Sequence, residues 1–390
     1  MRIGIDARFL GPGSKGLGRY TQKLLLHIQE IHDEHTYVIF LRKENESLFV
    51  SDDPRFTKVI ADYKWYSLAE QTLFVWTLLR AKCDLVHFPH FNVPLMYYKP
   101  FIVTVHDLIL LRFPTHKNST RSRALYWLKY QIYKLVIARA ISGAASIIAV
   151  SDFTRNDILE HYTVAPEKVI RIYEAGSDIS KNTQGKSLAT EAVRSIIESQ
   201  QKYFLYVGNA YPHKNLDGLV EAFAQYKIEH KESQAQLVLV GRKDFFYKRL
   251  EQHMRRISDT YAITLSECVV ILDTIDNVSL ELLYQKAHAF VFASLYEGFG
   301  LPPLEACSYG VPVLSSQVSS MPEVLGDAAL YADPTHAKEF ARAMSVIDTD
   351  QELRVRLRER GPLQAQKFSW QRMAQETHSL YRKYASSKKR

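Results

Sequence analysis

Two glutamates, Glu297 and Glu305, enclose a segment rich in glycine and proline, EGFGLPPLE. The apolar run before it, 287–294, is typical of a buried strand, and the two prolines favour the first turn of a helix. A helix N-terminus carries roughly half a positive charge and glycines admit a ligand closely, so the segment suits a phosphate. Carboxylates repel phosphate but accept hydrogen bonds from sugar hydroxyls. The pattern therefore predicts a nucleotide-sugar site; alternatively, Glu305 only complements the helix dipole.

A second segment, GNAYPHKN (208–215), follows an apolar run in the same way. Asn215 is a good N-cap for the next helix, which places Lys214 just before a helix N-terminus. That position disfavours a cation unless an anion lies between the lysine and the helix. Lys214 therefore indicates a pyrophosphate site, the alternative being a lysine that extends into water.

His106 and Asp107 end a third apolar run, VTVHD, where a catalytic side chain could reach a substrate. His87 and His90 show a similar but weaker pattern. The spacing of the three histidines matches no closed set of metal ligands, so no metal site is predicted here.

The loop GPGSKGLG (11–18) contains the pattern G-x-G-x-x-G, formed by Gly11, Gly13 and Gly16. On its own this pattern is weak support for a dinucleotide site. Arg8, Phe9 and Leu10 lie between the strand and the loop, and no acidic residue ends the second strand. A flexible loop that admits substrate at Gly16 is the favoured interpretation, with hydride transfer as the alternative.

The tripeptide Asp348-Thr349-Asp350 resembles a metal-binding D-x-D motif. It precedes a charged segment with helical character, and either aspartate would serve as the N-cap of that helix. We therefore expect no metal there, and no cofactor is predicted anywhere in the chain.

The chain has 390 residues, 46% of them hydrophobic and 24% charged, which is typical of a soluble protein of two or three domains. Its three cysteines are unclustered, which disfavours disulfides and zinc sites and favours a reducing cytosol. The first residues read as a strand and not as a signal peptide, and no apolar run is long enough to span a bilayer. A cytoplasmic location is predicted.

The net charge of +8 is concentrated in one segment, 108–151, which contains no acidic residue. Its seven basic residues are interleaved with aromatic ones: Arg112, Lys117, Arg121, Arg123, Lys129, Lys134 and Arg139. This pattern predicts contact with an anionic membrane surface. The alternative is a solvated helix whose apolar stripe packs on the core through Leu125, Leu128, Ile132 and Leu135. No nucleic-acid motif accompanies the charge.

Short apolar segments alternate with amphipathic ones along the chain, which predicts an α/β fold with parallel sheets covered on both faces. Strands are predicted at 3–6, 37–40, 85–88, 101–106, 146–151, 169–174, 203–208, 236–241, 269–272, 289–294 and 311–316. Helices are predicted at 18–30, 68–80, 121–141, 152–161, 215–230, 245–257, 278–286 and 302–309.

Two doubly wound, Rossmann-like domains follow from this alternation. We predict an acceptor-binding domain at 1–176, a linker region at 177–200 and a nucleotide-sugar-binding domain at 201–367. A final helix at 368–384, capped by Ser369 after a Gly-Pro break at 361–362, completes the chain. Since ligands bind at the carboxyl ends of parallel strands, two facing domains predict a site in the cleft between them.

These motifs together resemble the retaining glycosyltransferases of family 4, which have the GT-B fold. The resemblance covers nearly the whole chain and depends on the loops above and on AVSDFT, GVPVLSS and SSMPEVLGDAALYADP. It implies that the C-terminal helix returns to the first domain. It also implies a transferase that retains anomeric configuration and needs no metal.

The resemblance assigns roles to individual residues. It places Glu297 on the donor sugar, Glu305 on the ribose, Lys214 on the diphosphate and His106 beside the transferred sugar. The backbone of Phe299, Gly300 and Leu301 would cradle phosphate or sugar. Many members have an arginine where this chain has Asn209, so Arg242 is a candidate substitute.

The resemblance extends to bacterial enzymes that build lipopolysaccharide or exopolysaccharide chains. It implies GDP-mannose as donor and a glycan or lipid-linked acceptor, at the inner face of the plasma membrane. Three alternatives stay open: a UDP-sugar donor such as UDP-glucose, a nucleotide-sugar epimerase of the same fold, and a non-catalytic nucleotide-sugar-binding protein.

Overall fold

The computed structural model describes residues 1–114, 123–176 and 190–387. The chain forms two compact units, one of Met1–Glu174 with Ser369–Arg390 and one of Ala175–Phe368. Each unit contains one parallel sheet with helices, so the predicted α/β class is confirmed.

The first sheet has the strand order β3-β2-β1-β4-β5-β6-β7 and the second has the order β10-β9-β8-β11-β12-β13. The strands are β1 Arg2–Asp6, β2 Thr36–Leu41, β3 Phe56–Ile60, β4 Leu85–Phe88, β5 Phe101–Val105, β6 Ser146–Ala149, β7 Val169–Arg171, β8 Tyr203–Val207, β9 Gln236–Val240, β10 Val269–Leu272, β11 Ala289–Phe292, β12 Val313–Ser316 and β13 Ala329–Ala332. The central strands are buried on both faces, which explains why they are continuous apolar runs in the sequence.

The helices are α1 Lys15–Gln29, α2 Val75–Arg80, α3 Ile109–Arg112, α4 Arg123–Gly143, α5 Asp152–His161, α6 Glu191–Glu198, α7 Leu216–Glu229, α8 Phe245–Tyr261, α9 Leu265–Cys268, α10 Asn277–Lys286, α11 Leu301–Ser308, α12 Met321–Leu325, α13 Ala337–Thr349, α14 Gln351–Ala365 and α15 Trp370–Ser387. Short 3-10 turns lie at Pro12–Ser14, Lys43–Leu48, Pro166–Lys168, Pro212–Lys214 and Gly326–Ala328, and a π-helical turn at Glu70–Phe74. Within the described residues, no helix is both long enough and apolar enough to cross a bilayer.

The C-terminal helix α15 belongs to the first unit, as predicted, and packs on α1. The hydroxyl of Tyr381 lies 2.6 Å from His87 Nδ1, and His378 Nε2 lies 2.5 Å from Asp33 Oδ2. The predicted cap is confirmed, because the Arg372 N–H donates to Ser369 Oγ. These polar contacts therefore hold α15 against the rest of the first unit.

The predicted break at Gly361-Pro362 is wrong, since α14 runs through both residues. A Cβ at Gly361 would lie 2.9 Å from the Cys307 carbonyl oxygen, so the glycine allows α14 to pass close to α11. The burial gained by this close packing outweighs the hydrogen bond that Pro362 cannot donate.

The edge strands β3 and β13 were not predicted, whereas the other two edge strands, β7 and β10, were. Part of the predicted linker region is helical: α6 buries Val193 and Ile196, and the Thr190 N–H donates to Ser279 Oγ. The remainder, 177–189, lies outside the described residues, as do positions 115–122 of the basic segment and the side chains of 123–126.

A buried charge cluster lies at the carboxyl end of β1. The Arg8 guanidinium donates to both oxygens of Asp6 and to Glu70 Oε1, each at 2.8 Å, and none of its side chain is exposed. It also lies 3.8 Å from the ring centre of Phe74, and Asn92 Nδ2 donates to the same oxygen of Glu70. The residues after β1 are therefore fixed by charge and are not a flexible extension of the glycine loop.

Candidate active site

The two loops predicted to bind the nucleotide sugar lie side by side in the second unit. They follow β8 and β11, which are adjacent parallel strands, so both loops emerge at the same edge of the sheet. The Leu295 N–H donates to the His213 carbonyl oxygen at 2.7 Å and joins the loops directly. Lys214 and Glu297, which are 83 positions apart in the sequence, thus lie in one site.

Lys214 and Glu297 form an ion pair in this site, with Nζ 2.5 Å from Oε1. The two side chains are only 14% and 8% exposed, so the lysine does not extend into water. Both charged groups of a partly buried ion pair lose part of their hydration. Either group can therefore exchange its partner for a ligand group that binds it more strongly.

Two serines that the sequence did not single out support the backbone around Glu297. The Glu297 N–H donates to Ser319 Oγ at 3.0 Å, while Ser320 Oγ lies 3.1 Å from the carbonyl oxygens of Glu297 and Phe299. Ser319 itself has a left-handed backbone, with φ of 57°. The serines follow β12, which pairs with β11, and they begin the segment SSMPEVLGDAALYADP on which the family resemblance depends. Spacing along the chain alone does not show that they reach Glu297.

Gly300 occupies the N-cap position of α11 with a left-handed backbone, φ 97°. The left-handed conformation favours glycine, and a Cβ there would lie 2.2 Å from Met321 Cε, so the end of that buried side chain would have to move. Leu301 begins the helix, as the two prolines predicted, and Phe299 is buried against Phe368 with ring centres 5.5 Å apart. The segment 299–301, predicted to contact phosphate or sugar, therefore forms the start of α11.

Glu305 lies on α11 and is 4% exposed, beyond the first turn of the helix. Its Oε2 accepts a hydrogen bond from the Tyr284 hydroxyl at 3.2 Å. Complementing the helix dipole does not explain a buried position past the first turn.

Two residues of the segment 208–215, Asn215 and Asn209, make contacts that the sequence did not predict. Asn215 occupies the N-cap position of α7, but it makes no capping hydrogen bond; its Nδ2 donates to the Pro334 carbonyl oxygen at 2.6 Å. The Asn209 side chain accepts from the Tyr211 N–H, and its carbonyl oxygen accepts from the Tyr206 hydroxyl. Arg242, the candidate substitute for the missing arginine, is exposed.

In the first unit, the predicted flexible loop is mostly helical. A 3-10 turn covers Pro12–Ser14 and α1 begins at Lys15, so Gly16 lies within a helix. A Cβ at Gly18 would lie 2.0 Å from the Gly11 carbonyl oxygen, so Gly18 allows the start of α1 to pack closely on the loop.

His106 lies just beyond β5, with Nδ1 2.7 Å from Glu174 Oε1 and Nε2 2.8 Å from the Pro89 carbonyl oxygen. His87 is bound to Tyr381 and Thr104 and does not share a ligand position with His106. Burial lowers the pKa of His87 and of His90 to about 3. The three histidines therefore have separate roles within the first unit.

The D-x-D tripeptide caps a helix, as predicted. Asp350 precedes α14 and accepts from the Leu353 N–H at 2.8 Å. Asp348 accepts from the Tyr226 hydroxyl and lies 2.9 Å from His288 Nε2. The contact with His288 is the largest cause that holds the pKa of Asp348 well below that of a free carboxyl.

Two family models match successive parts of the chain. The model described as Glycosyltransferase Family 4 matches residues 14–175, and the model described as Glycosyl transferases group 1 matches residues 190–364. The chain therefore belongs to the glycosyltransferases, with a family 4 domain followed by a group 1 domain. This confirms the resemblance found in the sequence.

Two curated relatives span most of the chain. The Escherichia coli O-antigen chain mannosyltransferase B is 29% identical over 318 residues, which cover 81% of this chain and 79% of that protein. The Salmonella typhimurium O-antigen chain mannosyltransferase RfbU is 26% identical over 368 residues, covering 87% and 89%.

Solved structures show the same fold at lower identity. A sucrose-phosphate synthase from Thermosynechococcus elongatus has a TM-score of 0.72 at 20% identity, over 99% of this chain and 100% of that one. Anabaena HepE in complex with UDP and glucose has a TM-score of 0.71 at 15% identity, over 98% and 100%. The predicted GT-B fold is confirmed.

Proposed function

We propose that this glycosyltransferase moves mannose from GDP-mannose onto a glycan or lipid-linked acceptor in the synthesis of a cell-surface polysaccharide. The names of the two relatives that span most of the chain support mannose and O-antigen chemistry. The observation that carries the proposal is the buried Lys214–Glu297 pair at the carboxyl ends of two adjacent strands. One charge suits a diphosphate and the other suits sugar hydroxyls.

The proposed roles follow from the charges. The diphosphate replaces Glu297 as the ion-pair partner of Lys214. The Glu297 carboxylate then accepts hydrogen bonds from the mannose hydroxyls. Glu305 accepts from the ribose, and the backbone at 299–301 lies against the phosphate or sugar at the start of α11. Asn209 and Arg242 come shortly after β8 and β9, which are adjacent strands, and Gly16, near the start of α1 in the first unit, contacts the substrate in this proposal.

The proposed reaction retains the anomeric configuration and uses no metal. The bond from the anomeric carbon to the phosphate oxygen breaks, and a bond to the acceptor oxygen forms on the same face. The acceptor proton passes to the leaving phosphate, so the enzyme needs to hold the diphosphate and stabilise its growing charge. His106 lies beside the transferred sugar in this proposal, and 1–176 supplies the acceptor site.

GDP-mannose should raise the melting temperature of the protein more than UDP-glucose does. A ligand that binds only the folded state stabilises it by about 2.7 kcal/mol at a hundred times its dissociation constant. A thermal-shift series with GDP-mannose, GDP, UDP-glucose and UDP measures the difference. Stabilisation by the UDP compounds alone would replace the proposed donor with a UDP-sugar.

Product analysis separates the remaining alternatives. Incubation with the stabilising donor and a lipid-linked glycan should yield a glycoside that depends on the acceptor. Release of an altered free sugar without acceptor would identify an epimerase, and binding without turnover over an acceptor panel would identify a binding protein.

We also place the first unit against the inner face of the plasma membrane. The α4 stripe Leu128, Ile132 and Leu135 is exposed, so the expectation that it packs on the core is wrong; Tyr133, Val136, Ile137, Ala140 and Ile141 face the core instead. The apolar residues of α4 show little helical periodicity, so the sequence does not select the buried face of this helix. Lys129 and Lys134 are exposed on the same helix.

The exposed apolar surface continues beyond α4. Arg139 donates to the carbonyl oxygens of Leu95 and Tyr97, which holds the loop with exposed Met96 and Tyr98 against the helix. Apolar side chains flanked by lysines fit the interface of an anionic bilayer. Arg112 contributes less to this surface than predicted, because it is paired with Asp157 and Glu160.

Replacing Leu135 with serine should weaken binding to vesicles that contain anionic lipid. Burial of one leucine side chain is worth about 2 kcal/mol, which corresponds to a loss of about tenfold or more in partitioning. Leu363→Ser is the matched control, since Leu363 is 63% exposed in the second unit and Leu135 is 61% exposed. Vesicle flotation measures both; equal loss in the two variants, or wild-type binding that is indifferent to anionic lipid, would remove this surface from the proposal.

A further inference from the structure

Both ring nitrogens of His106 face hydrogen-bond acceptors. Nε2 lies 2.8 Å from the carbonyl oxygen of Pro89, and a carbonyl can only accept, so this nitrogen carries a proton. Nδ1 lies 2.7 Å from Glu174 Oε1. A neutral ring would direct a lone pair at a carboxylate there, whereas a doubly protonated ring donates to both acceptors. The geometry is therefore that of an imidazolium paired with a carboxylate.

Glu174 is placed to hold that charge in a site where water is scarce. Its side chain is 6% exposed and that of His106 is 17% exposed. Burial alone lowers the pKa of His106, but the hydrogen bond and charge of Glu174, with the Pro89 carbonyl and the charge of Asp107, outweigh burial and leave that pKa raised.

Three titratable groups around the ring are neutral near pH 7: His87, His90 and Tyr20. His87 and His90 have pKa values near 3 because of burial, with the charge of His106 as a smaller cause. The Tyr20 ring on α1 meets the His106 ring edge-on at 4.8 Å, and burial raises the pKa of its phenol. Asp107 accepts from the Ile109 N–H. The charged groups that act on His106 are therefore two carboxylates: Glu174, in direct contact, and Asp107, with a smaller effect.

We propose that Glu174 is a positioning residue for the transfer reaction, which keeps His106 doubly protonated and fixes its ring. The inference rests on the proposed function, in which His106 lies beside the transferred sugar. It makes His106 a fixed cation that favours the negative charge growing on the leaving diphosphate. With both N–H bonds already donated, the ring accepts no proton from the acceptor hydroxyl, in agreement with proton transfer to the phosphate.

The protonation state can be measured without substrate. Ring nitrogen shifts of ¹⁵N-histidine-labelled full-length protein, assigned with His106→Asn, should show both His106 nitrogens protonated at pH 7.5. In Glu174→Gln the same ring should be neutral at that pH. Glu167→Gln, at an exposed glutamate of the same unit, should match the wild type. A neutral His106 in the wild type, or a charged one in Glu174→Gln, would overturn the proposal.

The pH profile of kcat then tests the role in the reaction. At pH 8, Glu174→Gln should lower kcat by about tenfold. This is a small part of the rate increase that a charge held near the transition state provides. The activity of Glu174→Gln should recover as the pH falls, because His106 then takes up a proton without help from a carboxylate. Glu174→Asp keeps the carboxylate and should retain most activity at pH 8. A profile unchanged in shape would overturn the role of the charge. If the wild type transfers no sugar at all, the proposed function fails, and the nitrogen shifts still decide the pairing.

Discussion

Replacing Lys214 with methionine should lower kcat by about a thousandfold, the usual scale for losing a group that stabilises charge in the transition state. Methionine keeps most of the bulk of the lysine and removes only its charge, so the diphosphate leaves without its main counter-charge. Turnover of the donor, measured at saturating acceptor, gives the effect directly. Activity within a few-fold of wild type would contradict the proposed role.

The ion pair complicates this experiment, because Lys214→Met leaves a mostly buried Glu297 without a partner. Breaking a buried pair costs about 3–5 kcal/mol, so a loss of activity could reflect a loss of stability. The double variant Lys214→Met/Glu297→Gln removes both charges and should recover much of the melting temperature with none of the activity. Lys202→Met is the control, since that lysine is 58% exposed and its loss should change neither quantity.

The sequence predicted the parts of this site that depend on local pattern. Central strands are recognisable as apolar runs, and the loops after them must lie at their carboxyl ends, so Lys214 and Glu297 were correctly placed after β8 and β11. Their direct pairing was not predicted, since it depends on β8 lying next to β11 in the sheet. Strand order is a tertiary property that spacing along the chain does not encode.

The missed contacts share this cause. Ser319 and Ser320 reach Glu297 only because β12 pairs with β11, and Glu174 reaches His106 because β5, β6 and β7 are consecutive neighbours in the sheet. The loop at 11–18 was wrongly predicted to be flexible for a different reason: a run of glycines predicts a flexible loop, and only the contact of Gly18 with Gly11 at the start of α1 shows that a missing side chain serves close packing.

Arg8 shows how far a single residue can depend on tertiary contacts, and its replacement with methionine should have the largest effect on stability. The side chain is fully buried between Asp6 and Glu70, which are themselves 3% and 0% exposed. Without it, two carboxylates lie together in a site that water cannot reach. The loss should be about 3–5 kcal/mol, a fall in melting temperature of about 10 °C for a unit of this size.

Two variants separate charge from packing in that experiment. Asp6→Asn/Arg8→Met/Glu70→Gln removes all three charges. It should recover part of the lost stability, because neutral amides replace the two carboxylates that would repel one another. Arg42→Met removes an arginine whose carboxylate partners are exposed, and it should cost less than about 1 kcal/mol. Differential scanning calorimetry of the whole chain, with the donor added to mark the melting of the second unit, assigns each change to its unit. If Arg8→Met melts like Arg42→Met, the cluster contributes no net stability, and the rigidity of the segment after β1 must come from Asn45, whose amide donates to the carbonyl oxygens of Ala7, Arg8 and Leu10.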